Sequence, residues 1–153
     1  MRAANVVETL PTARPGDDVL SAVGMVSRHG LPGLVVADER GEVVGCMSSI
    51  DLLRLALPPY VRADPGLARV FDEEHADRIA AALAGTRVRD VVGEATDRIP
   101  MAPPQATVVE LAELMARKCC PLVLVEKAEG GTLGIITVNR LLKLLVAAAE
   151  DAR

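Results

Sequence analysis

The residues best suited to chemistry are a hydroxyl and a carboxylate three positions apart, Ser48 and Asp51, which follow an apolar run. Ser-x-x-Asp spacing is typical of a helix start, where the hydroxyl caps the helix and the acid lies at the third helical position. The unpaired N–H groups of a helix N-terminus also attract anions, and a carboxylate one turn in can accept hydrogen bonds from hydroxyls. Capping and ligand binding therefore both fit this pair, and one role does not exclude the other.

A related string stands 89 positions later, where Thr137 matches Ser48 and Arg140 matches Asp51. Arginine cannot accept a hydrogen bond. The helix dipole also disfavours a cation in the first turn by about 0.3–1 kcal/mol. The second string keeps the hydroxyl and loses the acid, so its site is either vacant or turns Arg140 towards a phosphate or a nearby acid. Asn139 is a weak substitute acceptor.

The offset of 89 positions extends without a gap from about Leu10 to Leu57, so the chain is a tandem repeat. It aligns Gly45 with Gly134 and Pro32 with Pro121. Each copy predicts the order strand, helix, strand, strand, helix, because helical spacing of apolar residues alternates with short apolar runs and turn residues. In the first copy, these are an extended piece at 10–12, a helix from Val19 that Gly30 ends, strands at 31–37 and 42–47, and a helix from Ser48 to about Leu57.

The repeats divide the chain into a first motif at 1–57, an inserted linker at 58–85 and a second motif at 86–153. We expect one helix with a solvated acidic face in the linker, at 67–83, and a short helical lead-in at 86–93. The apolar stripe of the linker helix is patchy: Leu67, Val70, Phe71, Ile79 and Leu83.

Composition argues against several classes of protein. The net charge is −4, there is one Phe, one Tyr and no Trp, and no Lys/Arg run stands out, so a nucleic-acid partner is disfavoured. No apolar run approaches the roughly 18 residues of a membrane span, and no secretory segment opens the chain, which predicts a cytoplasmic protein without membrane insertion. The cysteines, Cys46, Cys119 and Cys120, are expected to be reduced, with Cys46 and Cys119 buried.

Catalytic and metal motifs are weak. No Ser–His–Asp order, nucleophile elbow or P-loop is present. His75 with Asp72 and Glu74 could hold a metal, but a solvated helix face is favoured. We therefore expect no catalytic residue, no metal site and no required cofactor.

The repeat unit resembles the CBS domain, and the tandem arrangement resembles a Bateman module of the stand-alone bacterial type. Two stretches carry the resemblance in each copy: 32–38 with the Gly-x-x-Ser-x-x-Asp string at 45–51, and 121–125 with the string at 134–140. The resemblance implies an α+β or α/β fold in which two β-α-β-β-α motifs are related by pseudo-two-fold symmetry, with a helical insertion between them. It also implies two clefts that commonly bind AMP, ADP, ATP or S-adenosylmethionine, and a regulatory rather than catalytic role.

The resemblance also assigns candidate ligand residues. In the first cleft, Ser48 and Asp51 match the ribose and phosphate positions, while Thr12, Leu31 and Pro32 match the region lining the base. The matching residues of the second cleft are Met101, Pro121, Thr137, Asn139 and Arg140, and we expect this cleft to lack the ordinary ribose contact.

Two functions from different classes remain open at this stage. The first is a sensor that binds an adenine nucleotide or related adenosyl ligand and signals to an unidentified effector protein. The second is a structural or interaction module with empty clefts. In either case we expect a homodimer, because two small sheets cannot cover all the apolar helices.

Overall fold

The computed structural model describes residues 1–70 and 73–153 and contains two three-stranded sheets flanked by helices. The strands are β1 (Thr12–Ala13), β2 (Gly33–Ala37), β3 (Val43–Ser48), β4 (Met101–Ala102), β5 (Leu122–Glu126) and β6 (Thr132–Thr137). The α-helices are α1 (Ala3–Val6), α2 (Val19–His29), α3 (Ser49–Ala56), α4 (Pro59–Ala63), α5 (Glu73–Leu83), α6 (Val88–Asp97), α7 (Val108–Lys118) and α8 (Val138–Asp151). In each sheet a short strand pairs parallel with the middle strand, which pairs antiparallel with the return strand. The predicted order of strands and helices is therefore confirmed in both copies.

Both faces of the middle strands are covered, which explains why they are continuous apolar runs. Leu34 and Val36 of β2 face the helices of their own repeat, whereas Val35 joins a third cluster between the two sheets. In β5, Val123 faces the helices and Leu122 faces the other sheet in the same way. The period of two along a strand thus builds one core per repeat and a shared core between them.

Each repeat is completed by a helix that precedes the first strand of the other repeat. Helix α1 packs into the core of the second repeat, and α6 packs into the core of the first. Helix α6 and the residue after α1 approach the return strands closely, at positions where both strands have glycine. A Cβ at Gly45 would lie 2.8 Å from Val92 Cγ2, and one at Gly134 would lie 3.0 Å from Val7 Cβ. Both repeats are therefore composites, although the division of the chain at residues 58 and 86 stays a prediction.

The linker differs from its prediction as a single helix over 67–83. It forms α4, a 3-10 helix over Pro65–Val70, and α5. Pro59 begins α4 and Pro65 begins the 3-10 helix, as expected for a residue that fits the first turn of a helix and not its interior. The lead-in helix is also longer than expected, since α6 runs to Asp97. Phe71 and Asp72, assigned above to the apolar stripe and to a possible metal site, lie outside the described residues.

Cys119 is exposed, and its prediction as a buried thiol is wrong. It ends α7 in a left-handed conformation, with φ of 49°. The matching position in the first repeat is Gly30, which ends α2 with φ of 59°. Cysteine at this position therefore carries a backbone strain that its glycine counterpart avoids.

We expect Cys119→Gly to stabilise the protein. A left-handed conformation costs an L-residue about 1–2 kcal/mol, and the extra chain entropy of glycine returns about 0.5–1 kcal/mol of that. The net gain of about 0.5–1 kcal/mol raises Tm by about 1–4 °C in a chain of this size. Thermal unfolding in reducing buffer measures it, with Gly30→Ala as the matched control, which should lower Tm. A Cys119→Gly protein with an unchanged or lower Tm would contradict this account.

Candidate functional site

Asp51 lies at the start of α3, one turn after the end of β3. Ser48 is the N-cap of α3, and its Oγ accepts a hydrogen bond from the Asp51 backbone N–H at 3.2 Å. The Ser48 hydroxyl also donates to Asp51 Oδ2 at 3.1 Å. The capping interpretation of the pair is thus confirmed, and the Asp51 side chain is fixed in place with 4% exposure.

Two guanidinium groups approach the other oxygen of Asp51. Oδ1 accepts from Arg54 Nη1 at 2.8 Å, and from Arg98 Nη2 and Nε at 3.1 Å and 3.3 Å. Arg54 lies on the same helix, whereas Arg98 is the C-cap of α6 and precedes β4, the first strand of the second repeat. One buried carboxylate therefore joins charges from both halves of the chain, which explains how it tolerates burial.

Asp51 lies in the wall of a cavity of about 560 Å³ between α3, α4 and α6. This volume falls in the range of about 300–1,000 Å³ that small-molecule sites occupy. Its charged lining residues are Arg54, Arg62, Arg89, Arg98, Asp51, Asp90 and Glu94. Its apolar lining residues include Met47, Leu55, Leu57, Pro59 and Val91. The cavity offers an apolar wall for a ring and an excess of guanidinium groups for an anion.

The residues predicted to line the base, Thr12, Leu31 and Pro32, lie outside the wall of this cavity. Thr12 is exposed on β1, while Leu31 and Pro32 are half-buried just before β2. The carbonyl oxygen of Pro32 accepts from Ser49 N at 2.9 Å, which ties this segment to the start of α3. The structure therefore brings Pro32 and Ser48 together and places Asp51 one turn further, while the roles of Thr12, Leu31 and Pro32 stay predictions.

The second cleft contains a carboxylate from the N-terminal segment of the chain, that of Glu8. Glu8 Oε2 accepts from the Thr137 hydroxyl at 2.6 Å and from Thr137 N at 3.0 Å. Thr137 also caps α8, because its Oγ accepts from Arg140 N at 3.2 Å. Arg140 Nε donates to the carbonyl oxygen of Val6 at 3.4 Å and so helps to hold the N-terminal segment in place. A carboxylate thus already occupies the N-terminus of α8.

The other residues predicted for the second cleft are dispersed. Met101 is exposed on β4, and Asn139 is exposed in the first turn of α8. Pro121 accepts from Val138 N at 2.9 Å through its carbonyl oxygen, as Pro32 does in the first repeat. Pro121 also lines an apolar groove of about 380 Å³ between α7 and α8. Their ligand roles stay predictions.

Cys46 is a buried thiol in the core between the two sheets. Burial raises the pKa of its thiol to about 12, and the nearby Cys120 and Asp51 add smaller increases. Burial also raises the pKa of Cys120, which is half-buried. Cys46 is therefore a neutral packing residue between the sheets at physiological pH rather than a nucleophile.

Residues 1–70 and 73–153 contain neither a cluster of metal-ligating side chains nor a helix that could span a membrane. Within these ranges no three His, Cys, Asp or Glu residues come together as a metal site. Among the helices described there, none combines the length and apolar character that a bilayer span requires.

Sequence reasoning missed most of the cavity lining, including Arg54, Arg62 and Arg89, and it missed two long-range partners, Arg98 and Glu8. Glu8 precedes β1 and contacts the start of α8 in the second repeat. Arg98 precedes β4 and contacts the start of α3 in the first repeat. The 89-residue offset aligns Glu8 with Asp97, next to Arg98, and that alignment was the one signal that could have drawn attention to both.

Comparison with known proteins agrees with this architecture. The family model for the CBS domain matches residues 4–57 and 88–147. A CBS domain-containing protein of unknown function from Kribbella flavida is 38% identical, with a TM-score of 0.67 over 95% of this chain and 99% of the other.

More distant structures share the fold. The CBS-pair protein CBSX2 from Arabidopsis thaliana is 17% identical, with a TM-score of 0.69 over 97% of this chain and 96% of the other. A structure of CBSX2 in complex with AMP is 19% identical, with a TM-score of 0.65 over 99% and 98%. A search of curated proteins found no match to the chain.

Proposed function

The chain belongs to the CBS domain family, and from this premise we propose that it is a regulatory, non-catalytic CBS pair whose first cleft binds an adenosine nucleotide. The observation that carries the proposal is the buried Asp51 carboxylate in the wall of an arginine-lined cavity. The bound nucleotide is the signal that the protein detects, and a partner protein responds to the nucleotide-bound state.

The chemistry of the cavity supports a nucleotide over other small molecules. A carboxylate can accept hydrogen bonds from both ribose hydroxyls. The guanidinium groups of Arg54, Arg62 and Arg98 suit a phosphate, since arginine binds phosphate oxygens through two parallel N–H groups. The apolar wall at Leu55 and Val91 suits the adenine ring. The complex of CBSX2 with AMP gives a precedent within the fold.

A thermal-shift series tests the proposal with AMP, ADP, ATP, S-adenosylmethionine and NAD. Ligand at 100 times Kd stabilises the folded state by about 2.7 kcal/mol, which corresponds to a rise in Tm of about 5–10 °C for a chain of this size. A shift with at least one of these compounds is expected. No shift with any of them at millimolar concentration would overturn the proposal, and turnover by a clean preparation would overturn its non-catalytic part.

A structural or interaction module is the second candidate function. Two observations favour it: the Asp51 oxygens already have partners, and Glu8 already occupies the N-terminus of α8. A chain that binds none of the five compounds yet captures a partner protein would fit this alternative.

We expect the protein to form a homodimer through the exposed apolar residues of its helices. Leu142, Leu145 and Val146 of α8 are 53–58% exposed, and Leu53 of α3 is 64% exposed. A second copy would cover this surface by two-fold pairing. Light scattering at tens of micromolar should give the mass of a dimer, and Leu142→Asp with Leu145→Asp should give a monomer.

The matched control for the dimer is Val70→Asp, which changes a residue of the linker that is 76% exposed. It should leave the dimer intact. A monomeric wild-type chain would reject the prediction.

A further inference from the structure

Both oxygens of Asp51 already accept hydrogen bonds from side chains of the protein. Oδ1 accepts three N–H groups, two from Arg98 and one from Arg54, and Oδ2 accepts the Ser48 hydroxyl. A carboxylate offers about four acceptor positions. Oδ1 is therefore fully occupied and Oδ2 has one position left, so a ribose that donates one hydroxyl to each oxygen must displace a guanidinium N–H group from Oδ1.

The displaced donors are guanidinium groups, so the free energy of binding depends on whether the ligand offers them a new anionic partner. Side chains of Arg54 and Arg98 are 50% and 51% exposed, so either guanidinium can turn into the cavity that it lines. A neutral nucleoside offers hydroxyls to Asp51 but nothing to a guanidinium that has lost its carboxylate. A phosphorylated ribose offers hydroxyls to Asp51 and a phosphate to the released guanidinium. Each charged group of the ion pair therefore gains a new charge-assisted hydrogen bond.

We propose that the ion pairs of Asp51 with Arg54 and Arg98 form a selectivity lock for 5′-phosphorylated ribose. The lock rests on the proposed function of the first cleft and specifies its ligand class. It excludes adenosine, which cannot stabilise the released guanidinium groups. It also excludes S-adenosylmethionine, because the sulfonium group next to its ribose brings a positive charge to them.

The remaining charges of the cavity set where the phosphate lies. Arg62 and Arg89 make no salt bridge with any described carboxylate and add to the positive charge of the wall. Asp90 and Glu94 also line the cavity and disfavour an anion directly beside them. The phosphate therefore binds beside Arg54 and Arg98, the two guanidinium groups that lose Asp51 as a partner.

Arg98 also connects the two repeats, since it lies at the end of α6 and pairs with a residue of α3. When a nucleotide takes both partners, the direct link between Asp51 and Arg98 opens. Occupancy of the cleft thus changes a contact between the halves of the chain, which is what a regulatory module needs.

The test compares binding of adenosine and AMP to the wild-type protein and to Arg98→Gln. Calorimetry should show tighter binding of AMP than of adenosine to the wild-type chain, and no heat from S-adenosylmethionine. In Arg98→Gln the ratio of AMP to adenosine affinity should fall about 10-fold or more, because a charged hydrogen-bonding partner of the phosphate is lost and a competitor of the ribose is removed. Arg98→Lys, which keeps the charge, should retain most of the ratio.

The control is Arg117→Gln, which removes an arginine of similar exposure that pairs with Glu113 on α7. It should leave the ratio unchanged. If Arg98→Gln does not fold, Arg54→Gln removes the other half of the lock and should shift the ratio in the same direction.

The outcomes separate the lock from the proposed function. Binding of AMP by the wild-type chain with an unchanged ratio in the folded variant overturns the lock and leaves the nucleotide site standing. Equal loss of both compounds in the variant also overturns the lock, because it identifies Arg98 as purely structural. A wild-type chain that binds neither compound overturns both proposals.

Discussion

Replacing Asp51 with asparagine is expected to lower AMP affinity by about 10- to 150-fold. Hydrogen bonds to a charged acceptor contribute about 1.5–3 kcal/mol, and each 1.4 kcal/mol is a factor of ten in Kd. Asparagine keeps the size of the side chain and an acceptor for Ser48, so it disturbs the fold less than alanine does. Asp51→Ala should lose at least as much affinity, and it also removes the acceptor of the buried Ser48 hydroxyl.

The loss of affinity has to be separated from a loss of structure. Circular dichroism and thermal unfolding of Asp51→Asn measure the second effect, since the variant leaves Arg54 and Arg98 without their carboxylate. Asp90→Asn is the matched control, because Asp90 lines the same cavity and is exposed. It should bind AMP at least as well as the wild type, as it removes a negative charge near the phosphate. A folded Asp51→Asn protein that binds AMP normally would show that the ligand lies elsewhere.

The fold could be predicted from the sequence because it consists of two copies of one motif. An offset of 89 residues aligned glycines, prolines and apolar pairs, and those are the residues that form the turns and the cores of both halves. Gly45 shows why such a pattern is informative: a side chain there would overlap Val92 of α6. The linker lacked a second copy for comparison, and its helix α4 and the 3-10 helix over Pro65–Val70 were missed.

The site was predictable only where its contacts are local. Ser48 and Asp51 are three residues apart at one helix start, so spacing alone predicted the capping hydrogen bond between them. Arg98 is 47 residues from Asp51, and Glu8 is 129 residues from Thr137. Their contacts arise because α1 and α6 pack on the opposite repeats, and no periodicity within either segment encodes that exchange. Long-range charge pairs of this kind depend on tertiary packing, which spacing along the chain does not report.

The second cleft is expected to bind no nucleotide at concentrations that saturate the first. Arg140 stands where the first cleft has its acid, and the donors of Thr137 are already given to Glu8. The side chain of Thr137 is 3% exposed, so a phosphate would have to displace the Glu8 carboxylate to reach it. A negative ligand gains little by replacing a negative side chain that is already in place.

Calorimetry with AMP should therefore give one site per chain. Arg140→Ala and Thr137→Ala should leave Kd within about twofold, whereas Ser48→Ala, the matching change in the first repeat, should weaken binding because Ser48 orients Asp51. Folding must be checked for both hydroxyl variants, since each loses a helix cap that contributes about 1 kcal/mol. Two equal sites per chain, or tight binding that survives Asp51→Asn and disappears in Thr137→Ala, would place the nucleotide in the second cleft. The Glu8 carboxylate would then be a ligand group rather than the residue that closes this cleft.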